Sequence, residues 1–113
     1  MDCIFCKIAA QEIPAKLVYE DREIVAFRDI NPVAPTHILI IPRAHVETIN
    51  DLKAGHNELV GKMHLVAGEL ARREGLAERG YRLVWNCGPE AGQAVFHIHL
   101  HLVGGRKMAW PPG

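Results

Sequence analysis

The stretch "VFHIHLHLVGGR", near the end of a 113-residue chain, puts His97, His99 and His101 at every second position, between Phe96, Ile98, Leu100 and Leu102. Imidazole is a nucleophile, a proton carrier near neutral pH and a metal ligand, so three at fixed spacing carry chemistry that Thr, Lys or Glu would not. Period two is the mark of a strand, which predicts that the apolar set faces the core and the histidines share the other face. At a rise of about 3.3 Å per residue, same-face neighbours stand ~6.6 Å apart and the outer pair ~13 Å. Adjacent histidines can therefore converge on one atom, whereas one ion cannot easily take all three.

Three chemistries fit such a row. The histidines can be hydrogen-bonded residues on a half-exposed strand. They can form a catalytic metal centre, for which His-x-His is suitable but a nearby third ligand and a general-base carboxylate are missing. Or one is a nucleophile that its neighbours orient and assist, which fits best. Phosphorus suits that arrangement, because its adduct with imidazole is labile, while flanking imidazoles can hold phosphate oxygens and protonate a leaving group. Just upstream, "GPEAGQA" offers Gly88 and Gly92, where backbone N–H groups can approach anionic oxygens, and the side-chain amide of Gln93. At the other end, Cys3 and Cys6 form C-x-x-C, a spacing of metal sites and redox motifs, and need partners.

The elements that must position these groups follow from periodicity. "CIFCKIAAQEIPA" has Ile4, Phe5, Ile8 and Ala9 at helical spacing and ends before Pro14, predicting a short helix. "KLVYE" and "EIVAFRDI" form a hairpin turning at "DR", and "THILIIPRAHV" is a third strand bounded by Pro35 and Pro42. Between Asp51 and Glu74, Leu59, Met63, Val66 and Leu70 make one apolar stripe, predicting a long helix with Asp51 as N-cap and Gly75 as stop. Gly61 and Gly68 lie on one face of it and suggest close approach of another element, with a dimer in view. "GYRLVWN" is a fourth strand and the histidine stretch a fifth. Trp110 in the tail is expected to pack on something, Cys87 to be a buried strand-end residue, and His56 and His64 to lie on the surface. Strands, one long helix, then more strands argue an α+β fold with an antiparallel sheet.

Thirteen basic residues balance thirteen acidic ones, without the basic footprint that duplex nucleic acid requires. The longest apolar run, Ile38 to Ile41, is far too short to span a bilayer, and "MDCIFCKIAA" does not read as a leader, so a single cytoplasmic domain over residues 1–113 is expected.

"HIHLHLV" resembles the signature of the histidine triad family, and "EIPAKLVYED", "AFRDINPVAPTHILIIPRAH", "YRLVWNCG", "AGQAVFHIHLHLVGGR" and "MAWPPG" are similar, in the same order, to its nucleotide-binding, adenosine phosphoramidase branch. The resemblance implies a five-stranded antiparallel sheet with one long and one short N-terminal helix, the sheet continuing across a homodimer. It implies hydrolysis of purine nucleoside 5'-phosphoramidates such as AMP-lysine or AMP-NH2. An AMP-binding regulatory role with vestigial turnover, or dinucleoside polyphosphate hydrolysis, is the alternative. By the same resemblance His99 attacks phosphorus, His101 holds a phosphate oxygen, His97 orients the nucleophile and His37 supports the triad from the adjacent strand. Asp29 takes the ribose hydroxyls, and Ile13, Phe27, Arg28 and Ile30 line the base and sugar cleft. Asn86, Gly92, Gln93, Ala94 and Val95 meet the phosphate region. No cofactor is implied for catalysis. Members with "CIFCKI" imply a structural zinc on Cys3, Cys6, His45 and His97, the alternative being two reduced thiols packed as small apolar side chains. The chain departs from better-known members at Ala94, where they have serine, and at Arg28, where they have histidine.

Overall fold

The computed structural model describes residues 2–113. Helix α1 (Ile4–Ala9) leads into β1 (Leu17–Glu20) and β2 (Ile24–Arg28), joined by a turn that Asp21 ties down. The Asp21 carboxylate accepts the backbone N–H groups of Glu23 and Ile24 at 2.8 Å each. Then come β3 (Thr36–Pro42), α2 (Asn57–Arg73), β4 (Tyr81–Trp85) and β5 (Leu100–Gly104). The strands order β1-β2-β3-β5-β4, every neighbouring pair antiparallel, as the α+β reading expects.

The sheet is covered on both faces, which is why "HILII" in β3 reads as one apolar run rather than alternating. On one face, Met63, Val66, Ala67, Leu70 and Ala71 of α2 pack on Ile24, Ala26, Ile38, Ile40, Leu100 and Leu102. On the other, Phe5, Ile8 and Ala9 of α1 pack on Val25, Phe27, Leu39 and Ile41. Phe27 and Leu39 face each other in the β2–β3 register, so the α1 face of these two strands is fixed by the same pairing that buries the α2 face. Truncating a fully buried side chain such as Met63 or Leu70 to Ala costs about 2–5 kcal/mol.

Several expectations change. The long helix begins at Asn57, after two 3-10 turns, and Asp51 instead closes a capping box with Thr48, whose N–H and hydroxyl its carboxylate accepts at 3.1 and 2.8 Å. Thr48 lies three residues away, which is the reach a capping box needs. Gly75 does stop α2, at φ +75, with the Leu76 N–H donating to the Ala71 carbonyl at 2.8 Å. Within this chain nothing packs closely on Gly61 or Gly68, and Leu65 between them is 76% exposed. Trp110 is 81% exposed rather than packed; the tail is held by Arg82, which donates to the Ala109 carbonyl at 2.9 Å. Cys87 is half-buried. His56 is half-buried and His64 exposed. No helix among the described residues is long and apolar enough to cross a membrane.

Candidate active site and metal centre

The histidine stretch is only partly strand. Regular pairing begins at Leu100, with His101 opposite Leu39 and Val84. Upstream, the Ile98 N–H donates to the Val46 carbonyl at 2.8 Å, and Phe96 is 49% exposed instead of joining the core. His97 is fully buried and does not share an open face with the others. It turns inward because two thiols and a second imidazole receive it.

Each imidazole has a proton assignment dictated by its partners. The His97 Nε2–H donates to the Pro42 carbonyl at 2.7 Å, leaving Nδ1 as a lone pair. The His99 Nδ1–H donates to the His97 carbonyl at 2.8 Å, which leaves Nε2 as the nitrogen facing away from the backbone. His37 accepts the Val33 N–H at Nδ1, so its Nε2–H donates to His101 Nδ1 at 2.9 Å. His101 therefore carries its own proton on Nε2, and that atom is the one buried side-chain polar atom among the described residues without a partner. An orphaned donor of this kind costs about 1–3 kcal/mol until an acceptor arrives. An anionic phosphate oxygen is such an acceptor.

Burial holds the His101 imidazole down to about 4, with His99 and His37 pushing the same way and Asp29 opposing. Burial lowers His37 as well, again against Asp29, whose Oδ2 lies 3.5 Å from its Nε2. Both rings are thus neutral at pH 7, as the donor chain requires.

His99 and His101 line a cleft of 410 Å³ together with Ile13, Phe27, Asp29, Ile30, Asn86, Gly92, Ala94 and Val95. Phe27 and Leu39 from the sheet form apolar walls, and Asp29 supplies a carboxylate, its Oδ1 accepting the Asn31 N–H at 2.8 Å. The size and lining are those of a small-ligand site with a few placed polar groups. Sequence reasoning missed one wall. Ile4, Phe5 and Ile8 of α1 line the same cleft, and Phe5 stands edge-on to His99 with centroids 5.1 Å apart.

Two expected residues are elsewhere engaged. The Gln93 amide is buried and fully used: Oε1 accepts the Gly88 N–H at 2.9 Å, and Nε2 donates to the carbonyls of Glu47 at 2.7 Å and Val95 at 3.1 Å. Its amide braces the glycine turn and is not offered to a ligand. Arg28 touches the cleft rim, but its guanidinium forms a bidentate pair with Glu74 at 2.9 and 3.0 Å. Strand alternation explains this. Phe27 faces the cleft, so its neighbour faces α2, opposite Ile38.

At the back of the histidine stretch, Cys3, Cys6, His45 and His97 present four ligand atoms within 4.8 Å of one another. Zinc at about 2.0 Å from nitrogen and about 2.3 Å from sulfur, at tetrahedral angles, needs about 3.3 Å between two nitrogens and about 3.5 Å between nitrogen and sulfur. The observed separations are 3.3 Å for the two Nδ1 atoms, 3.3 Å for Cys3 to His97, 3.4 Å for Cys6 to His45 and 3.5 Å for Cys6 to His97. The Pro42 carbonyl fixes the His97 tautomer that frees Nδ1 for a metal, as an outer-shell partner does. The residues fit a Cys2His2 zinc.

Three neighbouring imidazoles beside a small-ligand cleft are the arrangement of a histidine triad protein, and a HIT domain model matches residues 10–108. The chain belongs to the HIT domain family. Among its relatives, the purine nucleoside phosphoramidase of Escherichia coli K12 is 51% identical over 107 residues, 95% of this chain and 90% of that protein. The 14 kDa zinc-binding protein of Zea mays is 54% identical over 112 residues, 97% and 87% of the two chains. Of solved structures, a HIT family hydrolase from Legionella pneumophila Philadelphia 1 superposes with TM-score 0.98 at 58% identity, covering 99% of this chain and 100% of that one.

Proposed function

We propose that this chain is a purine nucleoside phosphoramidase, cleaving the P–N bond of a purine nucleoside 5'-phosphoramidate. The observation that carries the reading is His99, its Nδ1–H bound to the His97 carbonyl and its ring lining a cleft that also presents Asp29 and apolar walls. The base lies between Phe27, Leu39 and the α1 residues, the ribose diol meets Asp29, and the phosphate reaches the histidines near Gly92 and Asn86. His99 Nε2 attacks phosphorus, the P–N bond breaks and the amine departs with a proton drawn from solvent, which the water of the second step returns. Water then displaces His99 and releases the nucleoside monophosphate, so one water is consumed over both steps. The His101 Nε2–H donates to a phosphate oxygen, and His37 keeps that proton in place.

The Cys3, Cys6, His45 and His97 cluster holds a structural zinc in this reading, fixing the segment from which His99 projects. A homodimer of single 113-residue domains in the cytoplasm completes it. Supporting the dimer are the open outer edge of β4 and the uncovered Gly61, Leu65 and Gly68 stripe on α2. The test is a panel of AMP-NH2, an adenosine-lysine phosphoramidate and diadenosine polyphosphates. Turnover of the two amides above the dinucleotides is expected, and hydrolysis of the dinucleotides alone would refute the assignment.

A further inference from the structure

Helix α1 serves two sites at once. Its flanking Cys3 and its own Cys6 belong to the four-ligand cluster, while Ile4, Phe5 and Ile8 line the cleft. Six residues make no stable helix alone, so its position depends on what its side chains hold. The C-terminal end is anchored by Arg43, whose guanidinium donates to the Ala9 carbonyl at 2.7 Å. The N-terminal end, which carries Ile4 and Phe5, is anchored at the cluster. Phe5 stands edge-on to His99 at 5.1 Å and 87°, to His97 at 6.0 Å and to Phe27 at 5.4 Å. A second link runs through His97, whose ring enters the cluster while its carbonyl accepts the His99 Nδ1–H.

We propose that Phe5, a residue of the cleft wall, couples the two sites: a zinc-class cation on Cys3, Cys6, His45 and His97 fixes α1 as a wall of the cleft, so cation and nucleotide each tighten binding of the other. The proposal rests on the nucleotide reading of the cleft. With the cation present, the N-terminal end of α1 is tied to the same residue that orients the nucleophile, and the aromatic edge of Phe5 seats His99. Without it, that end keeps thiol–imidazole contacts of 3.3–3.5 Å and the packing of Phe5 on Phe27 and His99, while Arg43 still holds the other end. The N-terminal turn of the helix is then freer to shift, and Ile4 and Phe5 seat the wall less firmly.

The test is calorimetric titration of AMP into zinc-loaded and chelator-stripped protein, with circular dichroism confirming that both are folded, plus chelator competition for zinc with and without saturating AMP. Stripping is expected to weaken AMP binding about tenfold, and AMP to raise zinc affinity by the same factor, because coupling between sites is reciprocal. Phe5→Leu, which keeps buried volume and discards the ring edge, should bind one zinc yet show a coupling factor near one. Should stripping unfold the protein, the cation holds the whole fold and not α1 alone, and the coupling is overturned. Equal AMP affinity in both folded forms of the wild type also overturns it. Failure of the zinc-loaded wild type to bind AMP at all would instead overturn the nucleotide reading and the coupling with it.

Discussion

His101 should make the protein acid-sensitive by a calculable amount. In the folded chain burial holds its imidazole down to about 4, while an unfolded histidine titrates near 6.5. The unfolded state therefore takes up a proton that the folded state refuses. Stability is fully present above pH 6.5, falls as the pH drops from there towards 4, and stops falling below. At about 1.36 kcal/mol per pKa unit the whole difference is ~3 kcal/mol, of which about 2 kcal/mol is already lost at pH 5. Partial exposure of the ring trims this to ~1–2 kcal/mol. The assay is urea unfolding of the wild type and His101→Gln between pH 7.5 and 5 at saturating zinc, so that protonation of the metal ligands affects both alike. The wild type should lose about 1–2 kcal/mol more than the variant over that interval. Parallel pH profiles for the two proteins would refute both the burial argument and the neutral donor chain from His37 to His101.

Other residues give sharper local tests. Gln93→Ala removes three hydrogen bonds around a buried amide and should cost about 2–4 kcal/mol in urea unfolding, with nucleotide affinity changed mainly through the loosened glycine turn. Asp29→Asn should raise KM about tenfold or more with a smaller effect on kcat, since a charged hydrogen bond to a ribose diol contributes about 1.5–3 kcal/mol to ground and transition state alike. Arg28→Ala should leave KM within about twofold and instead cost ~1 kcal/mol in stability, because its partner is Glu74 on the far face. Metal analysis should find one zinc per chain in wild type purified without chelator and none in Cys6→Ser.

The strands and helices were legible because each has one dominant periodicity. "IVAFR" and "HILII" mark strands, and Met63, Val66 and Leu70 mark the buried face of α2. The two-sided burial of β3 was less so, since a continuous apolar run does not say what covers each face. Alternation placed His97 among open-faced histidines, when two thiols ninety-odd positions away in sequence turn it inward. Asp51 looked like the cap of the long helix because its closer partner, Thr48, outside the apolar stripe, carries no hydrophobic signal. Gln93 was misplaced for a general reason: a side-chain amide beside glycines serves a ligand or the turn itself, and only the neighbouring carbonyls of Glu47 and Val95 decide. Arg28 does border the cleft, but a strand whose Phe27 faces the cleft turns the next guanidinium towards α2, where Glu74 holds it. The α1 wall was missed since Phe5 and Ile8 read as core, although their place beside C-x-x-C was a usable signal.

The most direct measurement is mass spectrometry of His99 in rapidly quenched reactions with AMP-NH2. A single nucleoside monophosphoryl group on that imidazole, absent in His99→Gly along with turnover, is the expected result. A modified residue elsewhere, or undiminished hydrolysis by His99→Gly, would contradict the account.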